Sequence, residues 1–235
     1  MNNGQLRELE PEEFEVMIRD ARVLSEDGRG IKVLETTGGE IIKFFRRRHR
    51  LSTAVFYPYS KRFIRNASIL KQRGIETVNV VATYAKRKSS TDAVVYRKTR
   101  GRALRNFLES AGIPSEATEQ TLGDFTVFFA RLHREGILFR SIHFANVLVL
   151  DHGGFAIIDV ADISYSRRGP LTPGQRVRNF IHMSRYEEDR KALAGFGMSR
   201  FLELYLESAQ LSPRQQQRFS RLLSIKMRKT YPGFP

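Results

Sequence analysis

Ile137-Leu-Phe-Arg-Ser-Ile-His-Phe-Ala-Asn146, followed directly by Val147-Leu-Val-Leu-Asp-His-Gly-Gly-Phe-Ala-Ile-Ile-Asp159, is the stretch on which the reading of this chain turns. It reads as a loop ending on Asn146, then an apolar strand over Val147–Leu150. A tight turn at Asp151-His-Gly-Gly154 leads into a second apolar strand, Phe155–Ile158, which ends on Asp159. The hairpin brings an amide oxygen and a carboxylate to one edge of the structure. Two hard oxygens left open to phosphate oxygens and water are what a Mg²⁺–nucleotide site requires. Asn and Asp are also ordinary turn and cap residues, because their side chains bond nearby backbone groups. On the hairpin alone that plainer reading leads.

Working outward, 235 residues suffice for one good core or for two small lobes. A hydrophobic content of 41% with 11% aromatics fits a folded protein, and the lack of cysteine excludes disulfides and thiolate metal sites. The polar N-terminus lacks the apolar core of a signal peptide, and no segment approaches the ~20 apolar residues of a membrane span. The cytosol is the expected location. A net charge of +15 and a pI of about 10.4 point to an anionic partner. The cations fall in runs: Lys43–Arg50, Lys86–Lys88, Arg97–Arg102, Arg167–Arg168 and Lys226–Lys229. Each run alone reads as solvated surface; the set reads as a surface for a polyanion.

Upstream, Pro11–Asp20 reads as a short acidic helix and Ala21–Leu24 as a strand. Ser25–Gly30 is a glycine-bearing turn, Ile31–Thr36 a second strand, and Glu40–Phe45 a third that carries Lys43. Tyr59–Arg73 has helical spacing, with Phe63, Ala67 and Leu70 on one face and a stop at Gly74. Thr77–Thr83 and Ala93–Tyr96 read as further strands. Beyond Gly101 the pattern is helical: Ala103–Ser110, then Ser115–Gly136 with Leu122, Phe125, Phe128, Phe129 and Leu132 spaced for burial. After the hairpin come helices over Gly174–Phe196, Ser199–Ala209 and Pro213–Lys229, the last with Ser212 as N-cap and Pro213 at the first helical position.

That order of elements, with these residues, resembles the protein-kinase-like fold. More narrowly, it resembles the bacterial lipopolysaccharide-core sugar kinases, the Kdo/heptose kinase family and its toluene-tolerance relatives. The resemblance runs over roughly residues 20–225. It implies an α+β, bilobal architecture, with a small β-rich nucleotide-binding lobe over 1–100 and a helical lobe over 101–235. It also implies ATP and Mg²⁺ as cofactors. Gly28 and Gly30 take the place of the glycine-rich loop, and Lys43 that of the lysine that contacts nucleotide phosphates. Asn146 and Asp159 match the two metal-binding positions. Val95–Gly101, with Tyr96 in it, falls where the adenine-contacting connector belongs, and Arg140 would brace the catalytic loop.

Three departures go with the matches. Asn66 falls near the position of the glutamate that pairs with the lysine, and an amide cannot supply that charge-assisted pairing. Asp159 is followed by Val160-Ala161 instead of Phe-Gly. Ser141 stands where the catalytic Asp is expected, and a hydroxyl has no accessible basic form at neutral pH. Phosphoryl transfer rests mostly on positioning and electrostatics, so the loss need not end it. His143, two residues on, reads either as a substitute base or as a packed loop histidine. Asp162 reads as a structural carboxylate.

The leading expectation is an ATP–Mg²⁺-dependent phosphotransferase acting on a sugar hydroxyl of the lipopolysaccharide core at the inner face of the inner membrane. An anionic glycolipid or membrane surface would then be its partner. The rival is a pseudokinase that binds nucleotide or scaffolds core assembly without turnover. Nucleic-acid binding rests on charge alone, with no zinc-finger, RNP-type or GXXG signature, and ranks last.

Overall fold

A computed structural model describes residues 7–46, 58–85 and 91–231. Residues 47–50 of the first basic run, and the whole of Lys86-Arg87-Lys88, lie outside the described residues. The chain is mixed α and β and divides into two compact units, Met1–Thr99 and Arg100–Pro235.

The first unit runs β1 (Arg7–Glu8), α1 (Pro11–Ile18), β2 (Arg22–Asp27), β3 (Gly30–Glu35) and β4 (Glu40–Arg46). It continues through α2 (Tyr59–Gln72), β5 (Glu76–Thr77), β6 (Asn79–Ala85) and β7 (Thr91–Arg97). Six of these strands form one sheet in the order β1-β6-β7-β4-β3-β2, antiparallel except where β1 meets β6. Side chains alternate across a pleated strand, and here each face has its own cover. Ile42, Ala93 and Val95 join Leu34, Tyr84 and Phe14 of α1 in one core, where the Phe14 and Tyr84 rings stack at 4.0 Å. On the opposite face, Phe45 and Tyr96 meet Phe63 of α2 at 5.4 and 5.6 Å. Phe63, Ala67 and Leu70 are all buried, as their spacing predicts. Gly74, at φ +65°, ends α2, and the Ile75 N–H returns to the Leu70 carbonyl. This is the glycine stop the sequence announces.

The second unit begins with β8 (Arg102–Ala103), α3 (Leu104–Ala111) and α4 (Glu116–Arg134). Then come β9 (Ile137–Phe139), β10 (Val147–Val149), β11 (Phe155–Ile157) and β12 (Ile163–Tyr165). Helices α5 (Pro173–Met183), α6 (Glu187–Phe196), α7 (Met198–Ser208) and α8 (Pro213–Thr230) complete it. Strand β10 pairs with β8 and β11, and β9 with β12, all antiparallel. Leu122, Phe125, Phe129 and Leu132 of α4 are buried, while Phe128 is half-buried against the Phe155 ring.

Three expectations change, the first being the strand over Thr77–Thr83, which is divided at Val78 between β5 and β6. The glycine turn is narrower than Ser25–Gly30, because β2 runs on to Asp27 and leaves only Gly28 and Arg29 to turn the chain. The helix expected over Gly174–Phe196 is two helices broken at Ser184–Tyr186. Arg190 stabilises the break by donating to the carbonyls of Ser184 and Arg185. The acidic first turn Glu187-Glu188-Asp189 starts a new helix there, since anionic side chains favour a helix N-terminus.

Candidate functional site

The hairpin sets the geometry. Val147 faces Ile157 and Val149 faces Phe155, so the strands end together at Asn146 and Asp159. At that end the Ile158 N–H donates to the Asn146 carbonyl at 3.0 Å. Asn146 uses its side-chain NH₂ on the Ser141 carbonyl at 2.8 Å, which leaves its Oδ1 as the remaining acceptor. Asp159 adopts the left-handed conformation, φ 57° and ψ 47°, which few non-glycine residues adopt and which Asp tolerates better than most. Both residues are half-buried. Among the described residues no group of three or more His, Asp and Glu is placed to hold a metal ion, so this is no all-protein cage. An amide oxygen and a carboxylate are hard donors of the kind that Mg²⁺ takes alongside waters and phosphate oxygens.

The loop before Asn146 carries the rest. Ser141 Oγ lies 3.4 Å from Oδ2 of Asp162, and the Arg140 N–H donates to the Asp162 carbonyl at 3.1 Å. A half-buried carboxylate therefore stands behind the serine that occupies the expected position of the base. His143 packs its ring against Tyr186 at 4.8 Å, and its Nδ1 is buried with no hydrogen-bond partner. Burial pushes its pKa down, opposed by Asp189 and Asp159 and assisted by Arg105 and Arg185. A neutral, desolvated imidazole results.

Two helices clamp this loop through residues that the sequence reading passed over. Asn179 of α5 accepts from the Phe139 N–H and donates to the Phe139 carbonyl. Asp189 of α6, wholly buried, accepts from the Phe144 N–H at 3.0 Å and from Arg105 Nε at 2.9 Å. Arg105 in turn lies over the Tyr186 ring at 4.9 Å. Behind Asn179 runs a buried chain of donors. Arg176 Nη1 donates to the Tyr205 hydroxyl at 3.1 Å, and that hydroxyl lies 2.6 Å from His133 Nδ1. His133 Nε2 meets Asn179 Oδ1 at 3.1 Å. Burial pushes His133 down to about 3, with Arg176 adding to the fall and the Asn179 bond opposing it. Burial also pushes Tyr205 up to about 12. The neutral histidine thus accepts from the tyrosine and donates to the asparagine.

In the first unit, Lys43 sits on β4 between Val33 and Val94, with its ammonium 5.7 Å from the centre of the Phe63 ring. Asn66, one turn further along α2, is buried. Gly28 sits at the open tip of the β2–β3 turn, and Gly30 holds φ +102°. Arg46 closes the side of that turn through Asp27 and the Ile31 carbonyl. Tyr96 packs its ring on Phe63. The structure thus gathers Lys43, Tyr96 and Asn66 around Phe63 in one unit. In the other it gathers Arg140, Ser141, His143, Asn146 and Asp159 around one loop and hairpin.

No family model and no curated protein matches this chain. The chemistry the site supports therefore rests on its own residues. It offers two oxygens for a hydrated cation, a serine backed by a carboxylate, and a loop whose backbone is fixed at Phe139 and Phe144 by side chains of α5 and α6. Asn179 and Asp189 had a faint signal in the sequence: each occupies the apolar stripe of its helix, among Val177, Phe180 and Met183 or beside Ala192 and Leu193.

Proposed function

We propose that this chain has a bilobal, protein-kinase-like fold and binds a nucleoside triphosphate with Mg²⁺. In this reading it transfers the γ-phosphoryl group to a hydroxyl, the acceptor being a sugar of an anionic glycolipid of the lipopolysaccharide-core type. The observation that carries the reading is the pairing of Asn146 with Asp159 at one end of a hairpin, on a loop clamped by Asn179 and Asp189. Bound Mg²⁺ would supply charge neutralisation on the phosphate oxygens. Lys43 would hold phosphate, Gly28 and Gly30 would cover it, and Tyr96 would lie by the base. Arg140 positions the loop through its backbone bond to residue 162.

The acceptor oxygen bonds to the γ-phosphorus as the bond to the β-phosphate oxygen breaks and the nucleoside diphosphate leaves. The hydroxyl proton passes to Ser141 Oγ as the serine gives its own to the Asp162 carboxylate. This arrangement would allow turnover without an Asp at position 141, because a general base can act through one intervening water, whose place the Ser141 hydroxyl would take. His143, packed against Tyr186, is then a loop-positioning residue.

A pseudokinase is the second reading, favoured by Ser141 itself and by the amide at Asn66. Thermal unfolding with and without Mg²⁺–ATP tests the shared premise. The wild type is expected to gain several degrees, and Asp159→Asn to lose that gain without backbone strain, since Asn also tolerates the left-handed conformation. Equal gains in the two proteins overturn the metal assignment. Release of nucleoside diphosphate that depends on purified core oligosaccharide then separates kinase from pseudokinase.

A further inference from the structure

Helix α8 carries six cations and no acid, and no Asp or Glu follows Glu207 in the chain. Its buried side is Phe219, Leu223 and Met227. At roughly 100° per residue, Arg214, Arg218, Arg221, Arg228 and Lys229 all fall on the opposite side, within an arc of about 100°. All five are exposed. Ile225 lies in the middle of the same arc with 54% of its surface exposed. The stripe is about 22 Å long, at 1.5 Å per residue from Arg214 to Lys229. Among the described residues none of these cations is in an ion pair. Arg214 and Arg218 also line a cavity of about 480 Å³ with Thr172, Pro173 and Gly174 at the start of α5.

We infer that the exposed face of α8 is the surface by which this protein docks on a bilayer containing anionic phospholipid. Four of the five stripe residues are arginines, whose planar guanidinium matches a phosphodiester in two-point fashion where an ammonium offers a single point. The apolar face of α8 is already committed to the core, so the helix rests on the headgroups and does not embed. Ile225, at the centre of the cationic arc, reaches into the headgroup layer. On a nucleic-acid backbone it would face phosphate and gain nothing, and the stripe presents no aromatic ring on which a base could stack. The inference does not depend on the nucleotide reading.

The test is sedimentation of the full chain with vesicles of phosphatidylglycerol and phosphatidylcholine, with pure phosphatidylcholine vesicles alongside. Binding is expected only to the anionic vesicles, and to fall steeply with salt, because exposed charges are screened beyond ~8 Å at physiological ionic strength. Each basic residue near such a surface contributes about fivefold to partitioning. The triple variant Arg218→Gln, Arg221→Gln, Arg228→Gln should therefore bind about a hundredfold more weakly, at an unchanged melting temperature and with any Mg²⁺–ATP response intact. Ile225→Ser should weaken binding by a few fold without changing its salt dependence. Wild-type affinity in the triple variant overturns the inference. So does tighter binding of the wild type to duplex DNA than to anionic vesicles at equal phosphate concentration.

Discussion

Asn179 holds Phe139 by both of its backbone polar groups, accepting from the N–H at 3.3 Å and donating to the carbonyl at 2.7 Å. Phe139 immediately precedes Arg140 and Ser141, so one buried amide on α5 fixes where the functional loop begins. Asn179→Ala would leave the Phe139 N–H and His133 Nε2 buried without an acceptor. At about 1–3 kcal/mol for each orphaned group, a loss of roughly 3 kcal/mol is expected in urea unfolding. Asn179→Asp should not recover the loss, because it sets a carboxylate oxygen against the Phe139 carbonyl and buries a charge.

Asp162 is the residue on which turnover should depend. Asp162→Asn keeps its size and its backbone bond to Arg140 while removing the carboxylate behind Ser141. Phosphoryl transfer should fall by ~10²–10⁴-fold, the usual worth of general-base assistance, while stabilisation by Mg²⁺–ATP persists. Ser141→Asp should raise the rate or leave it unchanged. A wild-type rate at background that neither change moves would leave the pseudokinase reading standing.

Acid should unfold this protein through its histidines. Burial pushes His133 down to about 3 and His182 to about 4, the latter helped by Arg178, Arg185 and Arg140. Both are neutral when folded, whereas the unfolded chain takes up protons below about 6.5. Their contribution is complete above pH 6.5 and is lost as the pH falls toward 4 and then 3. His133, wholly buried, should cost about 1.4 kcal/mol per pH unit across that window, and the half-buried His182 less. Urea midpoints at pH 7, 6 and 5 measure the slope, which should be shallower in His133→Gln.

Arg105 is expected to matter more than its position on a short helix suggests. It is the cation paired with the fully buried Asp189, and its own pKa is raised chiefly by that hydrogen bond. Removing one partner of a buried pair typically costs about 3–5 kcal/mol. Because Arg105 is partly exposed, Arg105→Met should fall at the low end. The double change Arg105→Met, Asp189→Leu should recover part of the loss but leave the Phe144 N–H without its acceptor. A double-mutant cycle on unfolding free energies reads the coupling.

Much of this architecture was legible in the chain. The glycine turn and the apolar runs on either side of it announce the Asn146–Asp159 hairpin, Gly74 ends α2, and Ser212-Pro213 opens α8. Strands β1, β5, β8, β9 and β12 were not, because two or three residues are too few for a period-two pattern to show. The break between α5 and α6 was masked by continuous helical spacing, although the acidic run Glu187–Asp189 was a start signal in plain view. Asn179 and Asp189 escaped notice because polar residues at core-facing positions acquire meaning only from what lies opposite, and their partners are 40 and 45 residues away. Asp162 stood out as a carboxylate beside the site but reads as structural in the sequence, since only the pairing of β9 with β12 carries it to Ser141.

The charge of Arg176 is buried, and among the described residues its hydrogen-bond partners include no carboxylate, being the carbonyls of Leu171 and Ala209 and the Tyr205 hydroxyl. Ala209 closes α7, so the negative end of that helix answers the cation. From Arg176 the donors run one way, through Tyr205 and His133 to Asn179 and Phe139. No member can turn away without stranding its neighbour in a medium that offers no water. Helices α4, α5 and α7 and strand β9 should therefore open as a single cooperative unit, with their slowest amides exchanging at one common rate. The loop bearing Ser141 begins at the last link of that chain, so its rigidity is set by the opening of that whole unit and not by local fraying.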